Sequence, residues 1–293
     1  MFQILDGKSL ATQIKDEIAN EVRSNTAQGK RAPHLAAILV GDDGASQTYV
    51  ASKEKSSHEV GFTSSVYRLP ATTSQDELLK TIDFLNNDND VDGFIVQLPL
   101  PAHIDEKKVI LAIDPDKDVD GFTPINLGHM VLNEDCFIPA TPMGVVTLLE
   151  RYNIETEGKH CVVVGRSNIV GTPMANLMSR NSKHANCTVT LCHSRTKNLA
   201  ELTRMADILI VAIGKPEFIT ADMVKPGAVV IDVGIHRIPD DTKKSGYHIC
   251  GDVKHSEVDE KCSWVTPVPG GCGPLTIISL LQNTLKAYHK HIK

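Results

Sequence analysis

A chain of 293 residues with 41% apolar and 23% charged side chains holds enough apolar mass for two soluble domains of ordinary size. A net charge of −6 and an aromatic content of only 4% argue against a nucleic-acid partner, which requires phosphate neutralisation and stacking surfaces. No apolar run is long enough for a bilayer, and seven cysteines without a CxxC pair read as reduced thiols, mostly buried in strands.

From the N-terminus, MFQILDGKSLATQIKDE lacks a basic leader region and a long apolar stretch and runs into a helical pattern, the expectation for a mature cytoplasmic protein. HLAAILVGDD (34–43) predicts a strand ending in turn residues. The helix after it contains TYVASKEK (48–55), where Tyr49 and Lys53, four residues apart, share one face. A solvated face is the ordinary explanation for a lone lysine, so the pair gains meaning only from its surroundings. SSVYRLPA (64–71) predicts a second strand, and SQDELLKTIDFLNND (74–88) a helix with Ser74 as N-cap and Glu77 closing a capping box. VDGFIVQLPLP (91–101) is a third strand stopped by prolines, which leaves Gln97 at its C-terminal end. The turn DPDKDVDG (114–121) then offers Asp118 and Asp120, either of which could serve its own backbone.

Near residue 142 the pattern begins again. TPMGVVTLLERYN is a helix, KHCVVVGRSNIVGTPMANLMSRNS a strand, glycine turn and helix, and CTVTLCHSRT a strand. NLAELTRMADILIVAIG predicts a helix and a strand, GAVVIDVGI a strand, and the residues from Pro274 onward a long helix. Such alternation specifies α/β architecture with parallel sheets. The expected plan is two domains: an N-terminal α/β substrate domain over 1–141, with helix 275–293 packing back on it, and a Rossmann-like dinucleotide-binding domain over 142–274, with a cleft between them. His248, Cys250 and His255 lack a fourth ligand at metal-site spacing, so no metal is expected.

VVVGRSNIVGTP (162–173) is the phosphate-binding candidate. Gly165 permits a tight turn after a β-branched strand, Gly171 opens a helix, and Pro173 suits its first turn. Free N–H groups there make an anion site, although the glycines are six apart and do not form GxGxxG. The next strand ends LCHSRTKN, with no acid before Glu201 to grip a ribose 2′-hydroxyl. Arg166, Ser194 and Arg195 could instead hold a 2′-phosphate, which favours NADP.

Taken together, SQTYVASKEK, DGFIVQLPLP, PDKDVDGFTPINLG, PATPMGVVTLL, VVVGRSNIVGTP, CHSRT, KPGAVVIDVGI, GDV and TPVPGGCGPLT resemble the bifunctional methylenetetrahydrofolate dehydrogenase/methenyltetrahydrofolate cyclohydrolases of the FolD type. Cys272 and Leu275 replace the Val and Met of that pattern and stay apolar. The resemblance implies a folate substrate, agrees with NADP, and suggests a homodimer formed through the cofactor domains. It implies Tyr49, Lys53, Gln97 and Asp120 as catalytic and substrate residues, with Leu98, Pro269, Gly270 and Gly271 also on the substrate. It adds Ser167, Ile169, Val170 and Ile235 to the cofactor residues, with Asp232 or Gly234 near the nicotinamide. Oxidation draws electrons from the folate's own nitrogens and needs orientation, whereas adding water and opening a ring needs acid–base help. Lys53 is the implied proton carrier, held by Gln97; a lysine titrating near 10.4 needs burial to act as a base. Tyr49 would stack on the aminobenzoyl ring, and Asp120 would accept the pterin's N–H groups. The alternatives are a shikimate- or amino-acid-type NADP dehydrogenase, which would need no QLPLP–DVDG pair, and a nucleotide-binding regulatory module without chemistry.

Overall fold

A computed structural model describes residues 1–243 and 246–292; Lys293, the end of the last predicted helix, lies outside them. The chain divides into two compact units, one of Met1–Ala11 with Thr141–Thr276 and the other of Thr12–Ala140 with Ile277 onward.

The elements run β1 (Gln3–Ile4), α1 (Gly7–Ala27), β2 (His34–Val40), α2 (Gly44–Glu59), β3 (Thr63–Leu69), α3 (Gln75–Asn87) and β4 (Gly93–Val96). Next come α4 (Glu106–Ala112), α5 (Pro124–Leu132), α6 (Ala140–Arg151), β5 (His160–Val164), α7 (Gly171–Ser179), β6 (Thr188–Cys192) and α8 (Leu199–Thr203). The chain ends with β7 (Ile208–Val211), β8 (Val229–Asp232), β9 (His236–Pro239), β10 (Tyr247–Cys250), α9 (His255–Val258), β11 (Trp264–Val265) and α10 (Cys272–His291).

The unit holding most of the N-terminal half has a parallel sheet in the order β3-β2-β4. Its core gathers Ile38, Val40, Leu78, Ile82, Leu85, Phe94 and Val109. The capping box on α3 forms: Ser74 accepts from the Glu77 N–H, and the Glu77 carboxylate accepts from the Ser74 N–H at 2.8 Å. Buried Lys117 closes the far end of that helix, donating from Nζ to the carbonyls of Leu85 (2.9 Å) and Asp88 (2.5 Å). α10 belongs to this unit from Ile277 onward, where Tyr288 is fully buried and donates to the Arg31 carbonyl at 2.9 Å.

The other unit is a six-stranded parallel sheet in the order β1-β11-β8-β7-β5-β6. From β5 the chain moves outward to β6 and then returns across β5 to β7, so strand order reverses between β5 and β7, where doubly wound sheets take their ligands. A separate antiparallel ribbon joins β10 to β9.

Three sequence expectations need correction. Residues 1–11 do not belong with the N-terminal unit, because β1 pairs with β11 at the edge of the large sheet and Phe2 packs on that sheet's core. The final helix begins at Cys272, and its first residues, through Thr276, are part of the large-sheet unit. Six of the seven free thiols are buried, yet only Cys161, Cys192 and Cys250 lie in strands.

Candidate active site

α2 starts where Asp43 accepts the Ser46 N–H at 2.7 Å, and it lays Ser46, Val50, Ser56 and Ser57 on the sheet. These side chains are small, so the helix sits close to β2 and β3. Tyr49 stands exposed one turn before the half-buried Lys53. Gln97 continues β4 by one bond, its N–H donating to the Ile38 carbonyl at 2.9 Å, and the chain then turns through the cis bond Leu98–Pro99. The Gln97 amide has a fixed sense. Its Nε2 donates to the Leu98 carbonyl at 2.7 Å, which turns Oε1 toward the Lys53 Nζ at 3.2 Å. A cation that can only donate thus meets the one atom of the amide that can accept.

Asp118 and Asp120 arrive at the same end of the sheet because their segment is fastened to β4. Phe94 N–H donates to the Lys117 carbonyl at 3.0 Å, and Phe94 and Asp118 form a parallel bridge. Asp118 is fully engaged: it accepts the N–H groups of Gly121, Phe122 and Thr123 and the Asn126 amide. Asp120 accepts no hydrogen bond among the described residues. Burial raises its pKa above the ordinary carboxyl value, the charge of Lys53 opposes that shift, and Asp118 adds to it. Leu98 and Asp120 line one small pocket with Phe94, Val109 and Phe122. Gly121, at φ 73°, must be glycine, since a Cβ would stand 2.7 Å from the Phe137 carbonyl oxygen. Sequence reasoning missed Asn283, a buried side chain of α10 whose Nδ2 donates to the Val119 (2.8 Å) and Ile138 (2.9 Å) carbonyls and so fixes the turn bearing Asp120. Its one signal was an amide within an apolar helical stripe.

In the large-sheet unit, the turns after β5 and β6 lie side by side because those strands pair from His160–Thr188 to Val164–Cys192. Gly165 (φ 122°) and Gly171 allow contacts no side chain could: a Cβ on the first would meet the Ala212 oxygen at 2.1 Å, on the second the Gly165 oxygen at 2.0 Å. α7 opens at Val170 without a side-chain cap of its own, and Ser167 Oγ accepts the Val170 and Gly171 N–H groups at 3.2 and 3.3 Å. Arg166, Ser167, Ile169, Ser194 and Arg195 are all exposed beside this turn, and Ile235 is exposed after β8. A backbone cradle at a helix N-terminus flanked by two guanidinium groups fits a phosphorylated dinucleotide.

Asp232 ends β8, just before Gly234. The residue is 1% exposed, and its carboxylate accepts the N–H groups of Gly234, Asp252 and Val253 and contacts His255. Pro269, Gly270 and Gly271 belong to this unit, whereas Tyr49, Lys53, Gln97, Leu98 and Asp120 belong to the other. Gly271 is buried against Gly7, where a Cβ would lie 1.9 Å from the Gly271 oxygen, and Lys8 N–H donates to the Gly270 carbonyl at 2.8 Å. A hollow of about 300 Å³ lined by Tyr152, Lys159, Asp207, Lys225 and Trp264 sits at the opposite, N-terminal edge of the large sheet. Its lysines are paired with Glu155 and Asp207.

Residues 5–120 match the family described as tetrahydrofolate dehydrogenase/cyclohydrolase, catalytic domain, and residues 139–292 match its NAD(P)-binding domain. A bifunctional protein FolD of Cytophaga hutchinsonii is 62% identical over 285 residues, 97% of this chain and 98% of that protein. The solved FolD methylenetetrahydrofolate dehydrogenase/cyclohydrolase of Campylobacter jejuni superposes with a TM-score of 0.93 at 47% identity, covering 99% of each chain. The Trypanosoma brucei enzyme, solved as a complex with NADP and an inhibitor, gives 0.94 at 35% identity, covering 100% of this chain and 99% of that one.

Proposed function

This chain belongs to the tetrahydrofolate dehydrogenase/cyclohydrolase family, and on that premise we propose how its residues divide two reactions on one folate. The enzyme oxidises 5,10-methylenetetrahydrofolate to 5,10-methenyltetrahydrofolate with NADP and hydrolyses the product to 10-formyltetrahydrofolate. The family spans both units, which sets aside the shikimate-type and non-catalytic alternatives.

When bound, NADP supplies the hydride acceptor. Gly165, Ser167, Val170 and Gly171 would receive its phosphates, Ile169 and Ile235 its apolar faces, and Arg166, Ser194 and Arg195 its 2′-phosphate. In the oxidation, the folate nitrogens stabilise the cation that forms, and the protein's part is alignment. Tyr49 and Leu98 offer apolar surface to the folate, and Asp120, with every acceptor position open, takes the pterin N–H groups. Pro269, Gly270 and Gly271 are assigned to the substrate as well.

Hydrolysis adds water to the methenyl carbon, removes a proton from that water and delivers one to the departing ring nitrogen. Lys53 is the group we assign to that proton traffic, and Gln97 holds it in place. The observation that carries the assignment is the oriented 3.2 Å contact between Lys53 Nζ and Gln97 Oε1. Lys53→Met keeps the stem and removes the proton-carrying nitrogen, so cyclohydrolase should fall by about 10² to 10⁴ while dehydrogenase falls less and methenyltetrahydrofolate accumulates. A folded Lys53→Met enzyme that hydrolyses methenyltetrahydrofolate at the parent rate would return Lys53 to the solvated face of α2.

We place the enzyme in the cytoplasm, which its free thiols support, and we assign it a homodimer built through the large-sheet units. Strand β6 pairs on one side only among the described residues and exposes Leu191, an edge suited to isologous pairing. Sedimentation of Leu191→Lys as a monomer is the expected result; an unshifted dimer would move the interface elsewhere.

A further inference from the structure

Behind the dinucleotide turn lies a buried carboxylate that none of the site assignments uses. Asp252 is 0% exposed and accepts four hydrogen bonds. Ile213, Gly214 and Lys215 direct their backbone N–H groups to it at 2.7, 3.0 and 2.8 Å, and His236 Nε2 reaches Oδ1 at 2.8 Å. Three successive N–H groups converging on one carboxylate fix the path of the chain leaving β7. That path begins at Ala212, whose carbonyl oxygen a Cβ at Gly165 would meet at 2.1 Å, so the held turn forms a wall against the glycine turn. His236 begins β9 one residue after Ile235 on the route out of β8, which brings the second cofactor-side loop under the same carboxylate.

The surroundings are built for this close approach. Asp252 N–H donates to Asp232 at 3.0 Å, its carbonyl accepts the Ile219 N–H at 3.0 Å, and a Cβ at Gly234 would stand 2.5 Å from the Asp252 Cγ. Each donor is a backbone or imidazole N–H, and among the described residues no lysine or arginine ion pair shares the carboxylate. The charge is therefore spent on holding loop backbone, where acceptance by an ionised group is stronger than by a neutral one.

We propose that Asp252 is a positioning residue of the NADP site, locking the turn at 213–215 and, through His236, the start of β9 into the shape the dinucleotide requires. The proposal rests on the reading that this unit binds NADP. Asp252→Asn keeps the volume but turns an N–H₂ group toward N–H donors, and the 213–215 turn must give way. The expected result is a dissociation constant for NADPH, read by fluorescence titration, raised by about tenfold or more, with the NADP KM of the dehydrogenase raised alongside it. Cyclohydrolase, whose assigned proton carrier Lys53 lies in the other unit and which uses no dinucleotide, should stay within about twofold of the parent, and a merely structural role would lower both together. His236→Leu removes one of the four donors from a half-buried position and should weaken NADPH binding in the same direction by about threefold; it decides the matter if Asp252→Asn does not fold. Unchanged NADPH affinity in a folded Asp252→Asn or in His236→Leu, or parallel loss of cyclohydrolase, overturns the proposal. A parent protein that binds no NADPH overturns the cofactor reading beneath it.

Discussion

Asp118 and Asp120 stand two residues apart in one turn and face opposite demands. Asp118 is consumed by its own loop, and Asp120 is left without a hydrogen bond among the described residues. Nothing in DPDKDVDG separates the two, because either carboxylate can serve a turn; only the folded backbone shows which one closes on the following N–H groups. Burial raises the pKa of Asp120, so folding favours its protonated form. Its contribution to stability is therefore fullest below the ordinary carboxyl range and declines as pH rises through that range. Asp120→Asn is expected to melt above the parent near pH 7, with the gap closing toward about pH 3, in calorimetry across that range. The same variant should lose folate binding and depress both activities, while NADPH binding stays. A lower melting temperature near pH 7 would contradict this trade of stability for function. On the cofactor side, Arg195→Glu sets a negative charge beside the place assigned to the 2′-phosphate. It should raise the NADP KM by about tenfold or more and leave NAD nearly unaffected in steady-state assays with both cofactors.

Elements with a strong local signal were readable and short ones were not. The capping box of α3, the β-branched strand β5 and the glycine turn before α7 follow from side-chain chemistry within a few neighbouring positions. β1 and β11 are two residues each and show no periodicity, and they exist because each lengthens a sheet edge already formed. The β9–β10 ribbon escaped for a related reason: its strands are half-exposed, and Arg237 over the Tyr247 ring at 5.1 Å is a contact between chain positions ten apart. α10 carries the least legible function, since Asn283 reads as a blemish in a helix and acts as a clamp on the turn of Asp120. Asn283→Ala should leave two buried carbonyls without donors and cost about 1–3 kcal/mol in urea unfolding. It should also raise the folate KM; unchanged stability would mean that solvent reaches those carbonyls.

Across the whole molecule, the alternation of strands and helices specified parallel α/β architecture, and the two sheets follow from it. The membership of residues 1–11 did not follow, because strand pairing over more than 250 residues leaves no local trace. Removing residues 1–4 would strip β1 and Phe2 from the large sheet. The expected outcome is weakened NADPH binding and dehydrogenase activity with cyclohydrolase largely kept, measured in parallel assays; equal loss of both would show that β1 supports the folate residues too. The division of α1 and α10 between units also bears on how the protein is made. Neither unit is a continuous stretch of chain, so each must wait for residues synthesised late before it can close. The folate-binding unit awaits Asn283 and Tyr288, and the cofactor unit awaits the residues through Thr276. A chain stalled on the ribosome after residue 140 should therefore remain open to protease along α2 and β4, and protection there should appear only once the residues from Ile277 onward have emerged.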